Sequence, residues 1–185
     1  MKRIVMSLIM ILTFSSSFVG AEQYDKTQKM FVDAGAQEFF NDAYGYAMFP
    51  TIAKGGFGIG GSYGEGKVYK QGTVTGDTSM AQITIGLQLG GQAFSQIIFF
   101  QDKRSFDEFT SGNFEFGAQA TAVALTAGIS VEASTKGNSA GASGGQNNAN
   151  VVSQYHKGMA VFTIAKGGLM YEASIGGQKF SYEVK

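Results

Sequence analysis

Cysteine is absent from the 185-residue sequence, which removes disulfides, thiol catalysis and thiolate metal sites together. The same absence excludes a lipid-modified N-terminal cysteine. Histidine occurs once, as His156, and an imidazole-based zinc site needs more than one ligand of this kind. Beside Tyr155 and Lys157 it reads as a packed or hydrogen-bonded strand residue. Acids and bases balance at 14 each, so no global field draws the chain to nucleic acid or to an anionic membrane. Any such attraction has to come from a local group of lysines. Proline occurs only as Pro50, against 27 glycines; in an extended chain that excess points to bulges, tight curvature and close backbone packing.

The N-terminus begins with basic Met1-Lys2-Arg3, continues through an apolar run from Ile4 to Leu12 interrupted only by Ser7, and ends on the small residues Gly20-Ala21. This is the pattern of a secretory signal peptide, with cleavage expected between Ala21 and Glu22. The apolar stretch falls short of the ~20 residues that a helix needs to cross a bilayer. Residues 22–185 are then expected to form one domain around one core.

Thr51-Ile52-Ala53-Lys54-Gly55-Gly56 recurs letter for letter as Thr163-Ile164-Ala165-Lys166-Gly167-Gly168. Weaker matches follow at the same offset, with Ser62, Gly64 and Lys67 against Ser174, Gly176 and Lys179. Two copies are too few for a solenoid, so the repeat reads as a strand-turn-strand unit used twice. Each copy is expected to put a lysine and two glycines at a tight turn.

Glu22 to Tyr44 has apolar residues at helical steps, with Gly35 splitting it into two short helices. From Tyr46 onward the period is two. Ile83, Ile85, Leu87 and Leu89 alternate with polar or small residues, as do Phe57, Ile59 and Tyr63, which assigns these apolar side chains to a core face. Ala93 to Phe100 loses alternation and reads as a strand covered on both faces. Asp102 to Thr110 reads as a short helix with Ser105 as a possible cap. Phe114 to Ser134, rich in alanine, fits either a helix or long strands, and its alternating ends favour strands bent at Gly128; 135–150 reads as a flexible polar loop. Strands are expected over Val151 to His156, Met159 to Ile164, Leu169 to Ile175 and Gln178 to Val184. The fold class is therefore mainly β: a curved antiparallel sheet or barrel-like domain with short N-terminal helices and one inserted helix.

No catalytic set converges. Gly141-Ala142-Ser143-Gly144-Gly145 satisfies G-x-S-x-G but lacks the strand-to-helix elbow that the motif needs. Gly56 to Gly61 is glycine-rich, yet no helix follows to hold a phosphate. Asp102, Asp107 and Glu108 suit the solvated side of the short helix better than an acid/base pair. No cofactor or metal is expected. The remaining candidates are Lys54, Lys67, Lys70, Lys157, Lys166 and Lys179, which would gather near turns and strand ends if the repeats pair in space. They read either as solvated turn lysines that protect sheet edges or as a site for an anionic headgroup.

Tyr46-Ala47-Met48-Phe49-Pro50, leading into Lys54-Gly55-Gly56-Phe57-Gly58-Ile59-Gly60-Gly61-Ser62-Tyr63-Gly64, resembles the opening signature of the SYLF domain family. Gly86 to Gln92, Lys157 to Phe162 and Gly167 to Gly177 resemble its middle and end. The resemblance spans Met30 to Tyr182 and implies a non-enzymatic domain that binds phospholipid. In the eukaryotic members, which regulate actin patches, an amphipathic N-terminal segment helps engage the membrane. Here Asp25, Asp33, Glu38 and Asp42 make that segment acidic as well as basic, and export directs the chain away from any cytoskeleton. The expected function is thus an exported phospholipid-binding module of a bacterial envelope, periplasmic or outer-membrane associated, contacting lipid through lysine-bearing turns and apolar surface. A small outer-membrane β-barrel and a structural or adhesive envelope protein are the alternatives.

Overall fold

The helical periodicity after residue 21 folds as two helices broken at Gly35. In a computed structural model, residues 20–57, 59–85, 91–125, 155–166 and 175–185 are described. Expectations for the leader through residue 19, for Gly86 to Gly90, for the bend at Gly128, for the loop 135–150 with Ser143, and for residues 151–154 and 167–174 lie outside them. Helix α1 covers 20–31 and α2 covers Gln37–Asp42. Between them Gly35 takes a left-handed φ of 100°, a conformation that glycine adopts without steric cost. The inserted helix α3 (Lys103–Phe109) has Asp102, rather than Ser105, as its N-cap. Asp102 accepts from the Ser105 backbone N–H at 2.8 Å while Ser105 Oγ accepts from the Asp102 N–H at 3.3 Å, which closes a capping box.

The strands are β1 (Gly45–Phe57), β2 (Ile59–Lys70), β3 (Thr73–Ile85), β4 (Gln92–Phe100), β5 (Phe114–Glu115), β6 (Val123–Leu125), β7 (Met159–Lys166) and β8 (Lys179–Val184). They form one sheet in the order β5-β8-β3-β2-β1-β4-β7-β6, antiparallel except where β6 joins β7. Three strands separate β4 from β8, yet Gln96 and Gln178 exchange reciprocal amide hydrogen bonds at 2.9 and 3.1 Å, both side chains buried. Only a strongly curled sheet brings them together. The mainly β class and the curvature are as expected.

Each face of the sheet carries its own core. Inside the curl, Phe49, Ile52, Phe94, Ile98, Phe100 and Phe180 pack with Phe106 and Phe109 of α3. Outside, Tyr46, Met48, Ile97, Phe99, Phe162 and Ile164 pack with Phe31 and Phe39 of the N-terminal helices. β4 contributes to both, which accounts for its unbroken apolar run. α1 and α2 cover the outer face over β1, β4 and β7. The outer face of β2 and β3 near Ile59 and Ile83 stays exposed.

β1 contains a bulge at its proline. Met48 pairs with Lys67 but Thr51 with Glu65, and on the other side Phe49 pairs with Gln96 but Ile52 with Phe94, so β1 has one residue more than either neighbour. Proline lacks the N–H that a regular ladder needs and is tolerated at such an irregularity. The Pro50 carbonyl accepts from the buried Ser95 hydroxyl at 2.8 Å. Contrary to the expectation from its glycines, the first copy of the repeat is therefore not a turn. Lys54-Gly55-Gly56 lies inside β1, paired through to Gly60 of β2.

Candidate functional site

The alternation in β2 was expected to bury Ile59 and Tyr63. The structure inverts it: Gly60, Ser62, Gly64 and Gly66 face the interior and Ile59, Gly61, Tyr63 and Glu65 face out. The reason is steric. A Cβ on Gly64 would lie 2.6 Å from Ile52 Cγ1, and one on Gly66 2.7 Å from Phe49 Cδ1. Large side chains of β1 thus lie flat across the glycines of β2, and the glycines complete the interior by having no side chain. The apolar residues of β2 are left outside. Ile59 is 70% exposed, Ile83 of β3 81% and Tyr63 54%.

These residues belong to an uncovered platform. Strand register sets Lys166, Ala93, Ala53, Tyr63, Ala81 and Lys179 in one row across six strands. A lysine stands at each end, with small residues and one tyrosine between. The next outward row contains Gly55, Gly61 and Ile83, and Ile59 follows beyond it. Large exposed apolar side chains on a surface otherwise made of alanine and glycine mark a contact face rather than scattered exposure. Lys166 Nζ donates to Thr51 Oγ1 at 2.6 Å, and partial burial moves its pKa below the ordinary lysine value. Lys179 lies 3.5 Å from Glu115.

The six lysines do not gather into one site, contrary to the expectation from the repeats. Lys166 and Lys179 flank the platform, whereas Lys54 belongs to the inner face, half-buried beyond Ile52. Lys67 lies within β2, its ammonium 4.7 Å from the centre of the Tyr24 ring. Lys70 and Lys157 lie toward the opposite end of the strands: Lys70 sits over Tyr44 at 5.0 Å, and Lys157 occupies a left-handed turn with φ 53°, its carbonyl accepting from Arg104 at 3.2 Å. Lys157 lies in a turn, Lys70, Lys166 and Lys179 are terminal residues of β2, β7 and β8, and Lys54 and Lys67 lie within β1 and β2. Sequence reasoning missed Ile59, Tyr63 and Ile83 as surface residues. The signal was present in Gly60, Ser62, Gly64 and Gly66, a run of small residues at every second position.

A polar groove of about 410 Å³ adjoins the platform, lined among others by Tyr24, Tyr63, Glu65, Lys67, Asp77 and Glu183. Tyr63 belongs to both, and its hydroxyl donates to Glu65 at 3.1 Å. Burial, reinforced by the Asp77 and Glu65 carboxylates, pushes the Tyr24 phenol up to about 12. On the same outer face, burial also pushes Tyr46 up to about 12. Tyr46 stacks on Tyr69 with ring centres 4.7 Å apart.

The carboxylates weighed as an acid/base pair have structural duties. Asp102 caps α3, and its pKa is lowered chiefly by the Ser105 backbone hydrogen bond. Asp107 pairs with Lys103, and Glu108 with Arg104 at 3.5 Å. His156 is exposed, its backbone bridged to Met159. Among the described residues no group of acidic or histidine side chains could hold a metal ion, and no helix is long and apolar enough to cross a membrane.

Residues 81–183, more than half of the chain, match the model of the Ysc84 family, described as "Las17-binding protein actin regulator". The chain belongs to the Ysc84 (SYLF) family. This family is associated with lipid binding and is not a known enzyme family. The chain is also similar to Beta cell expansion factor A of Aeromonas veronii, 29% identical over 147 residues. That match takes in 78% of this chain and 48% of the relative, so the chain spans about half the length of the curated protein that it matches. The family match begins at residue 81 and takes in β4, β7 and β8 together with Ala81 and Ile83 of the platform.

Proposed function

We propose that this SYLF-family chain is an exported, non-enzymatic module of the bacterial envelope that binds phospholipid surfaces with the part of the outer face, near Ile59 and Ile83, that the N-terminal helices leave uncovered. The observation that carries this reading is the exposure of Ile59 and Ile83 beside Tyr63 and small residues on the uncovered face, in a family associated with lipid binding. Such side chains gain free energy on entering an apolar layer, about 1.5–3 kcal/mol for each aliphatic side chain fully buried. Lys166 and Lys179, at the ends of the same row, supply cationic groups at its rim. Export is supported by the basic start, short apolar run and small residues ending at Ala21. The actin role named in the family description has less support, because that leader directs the chain out of the cytoplasm. A transmembrane barrel also has less support: among the described residues helices pack over both faces of the curled sheet, which interrupts the lipid-facing belt that such a barrel needs.

Co-sedimentation with phospholipid vesicles tests the reading. Ile59→Glu combined with Ile83→Glu is expected to weaken binding by about tenfold or more, since both apolar contacts are lost and two charges would enter the interface. The unfolding midpoint should hardly move, because neither side chain is buried in the free protein. Vesicle binding unchanged in a folded double variant would remove this face from the function.

A further inference from the structure

Three successive rows on the outer face of β2, β3 and β8 change from charged to apolar. Lys67, Asp77 and Glu183 share the first; Glu65, Ser79 and Ser181 the second; Tyr63, Ala81 and Lys179 the third, which opens onto Ile83 and Ile59. The first two rows form a wall of the polar groove under Tyr24. A face graded in this way has the polarity of a single phospholipid laid along it, with headgroup in the groove and acyl region toward the isoleucines.

The charges in the groove specify the headgroup. Glu65, Asp77 and Glu183 face one lysine, and the Lys67 ammonium is directed at the Tyr24 ring. Asp77 is met by Lys185 at 3.6 Å, an exposed pair of little strength. Glu183 has no ion-pair partner among the described residues. The combined field is negative, and at Tyr24 it adds to burial, the larger cause, in raising the phenol. A headgroup with anionic phosphate alone would be repelled here. A primary ammonium finds carboxylates and two phenol rings, a recognised combination for cations. The phosphate beside that ammonium finds Lys67 and the hydroxyls of Ser79 and Ser181, whose oxygens lie 2.7 Å apart.

Building on the proposed lipid face, we infer that the groove recognises the ammonium-bearing headgroup of a zwitterionic phospholipid of the ethanolamine class in a bilayer. Phosphatidylcholine vesicles doped with either phosphatidylethanolamine or phosphatidylglycerol provide the test. The unaltered protein should favour the ethanolamine vesicles, and Asp77→Asn with Glu183→Gln should reduce that preference by about threefold, the size expected for two partly exposed charge contacts. The same variant should still bind in a manner sensitive to Ile59→Glu and Ile83→Glu. No preference in the unaltered protein, or a preference unaffected by the carboxylate changes, would overturn the headgroup assignment while leaving the apolar face standing. Binding that ignores the isoleucine changes would instead overturn the lipid face. Soluble phosphoethanolamine serves as a competitor: failure to displace the protein at millimolar levels is expected of a bilayer-dependent site, whereas tight binding without vesicles would assign the groove to a free small molecule.

Discussion

Thr51 to Lys54 of the first copy and Thr163 to Lys166 of the second flank the same strand, one in β1 and one in β7 on either side of β4, yet they bury opposite sides. Ile52 packs inside the curl with Phe49 and Phe94; Ile164 packs outside under the N-terminal helices with Phe162 and Ile97. Thr51 is half-exposed and accepts from Lys166 and Gln23, whereas Thr163 is buried with its hydroxyl unpartnered. Lys54 belongs to the inner face and Lys166 to the outer. Before the repeat the strands agree: Ala47 and Met159 both face inward, and Met48 and Ala160 both face outward. The extra residue at Pro50 then inverts everything after it in β1, while β7 has Phe162 in ordinary alternation. A shift of one residue exchanges the faces of a strand. Identical Thr-Ile-Ala-Lys segments therefore do different work because of the residue that precedes them.

Lengthening the bulge breaks the comparison most severely. Inserting one alanine after Pro50 would turn Thr51 rather than Ile52 toward Gly64 and the inner core, and would cost more than about 4 kcal/mol, in the range of core disruption. Denaturant unfolding measures it; an insertion variant as stable as the parent would show that the residue count at the bulge does not set the faces. Next in size, Ile52→Ala and Ile164→Ala should each lose about 2–5 kcal/mol. Since the two side chains belong to separate cores, the double variant should lose the sum within about 0.5 kcal/mol. Strong coupling between them would mean that the cores act as one.

The threonines give the smallest and sharpest contrast. Thr163→Val replaces an unpartnered buried hydroxyl by a methyl group and should be neutral or stabilising by up to about 1 kcal/mol. Thr51→Val removes an acceptor from Lys166 and should cost about 0.5 kcal/mol or less at so exposed a site. Paired thermal melts of the two variants decide the matter, and a reversed order would contradict the face assignment.

Much of the fold was legible in the residues. The helical step after Glu22, the break at Gly35, the strands β1 to β3 and the doubly covered β4 could each be read locally, because each depends on spacing within one segment. The cap of α3 was legible in part: Ser105 belongs to the capping box, but Asp102, three residues earlier, occupies the cap. The candidate site was hardly legible. Lysines drew attention by type, whereas their placement depends on strands that come from distant parts of the chain. Ile59, Tyr63 and Ile83 were assigned to a core because apolar residues usually bury. Here Phe49 and Ile52 of the neighbouring strand had already filled the space over the glycines.

By itself, the sequence determined the period of every segment just named, the mainly β class and the motifs of the family. Those properties follow from backbone geometry and side-chain type, which act over a few residues. Tertiary structure alone decided which of the two faces of a strand is buried, which lysines share a row, and where an apolar surface remains open. Alternation states only that neighbouring side chains point opposite ways. Which side becomes the interior depends on what the adjoining strands and helices bring to it, and in β2 they brought the large side chains that leave its own isoleucine in solvent.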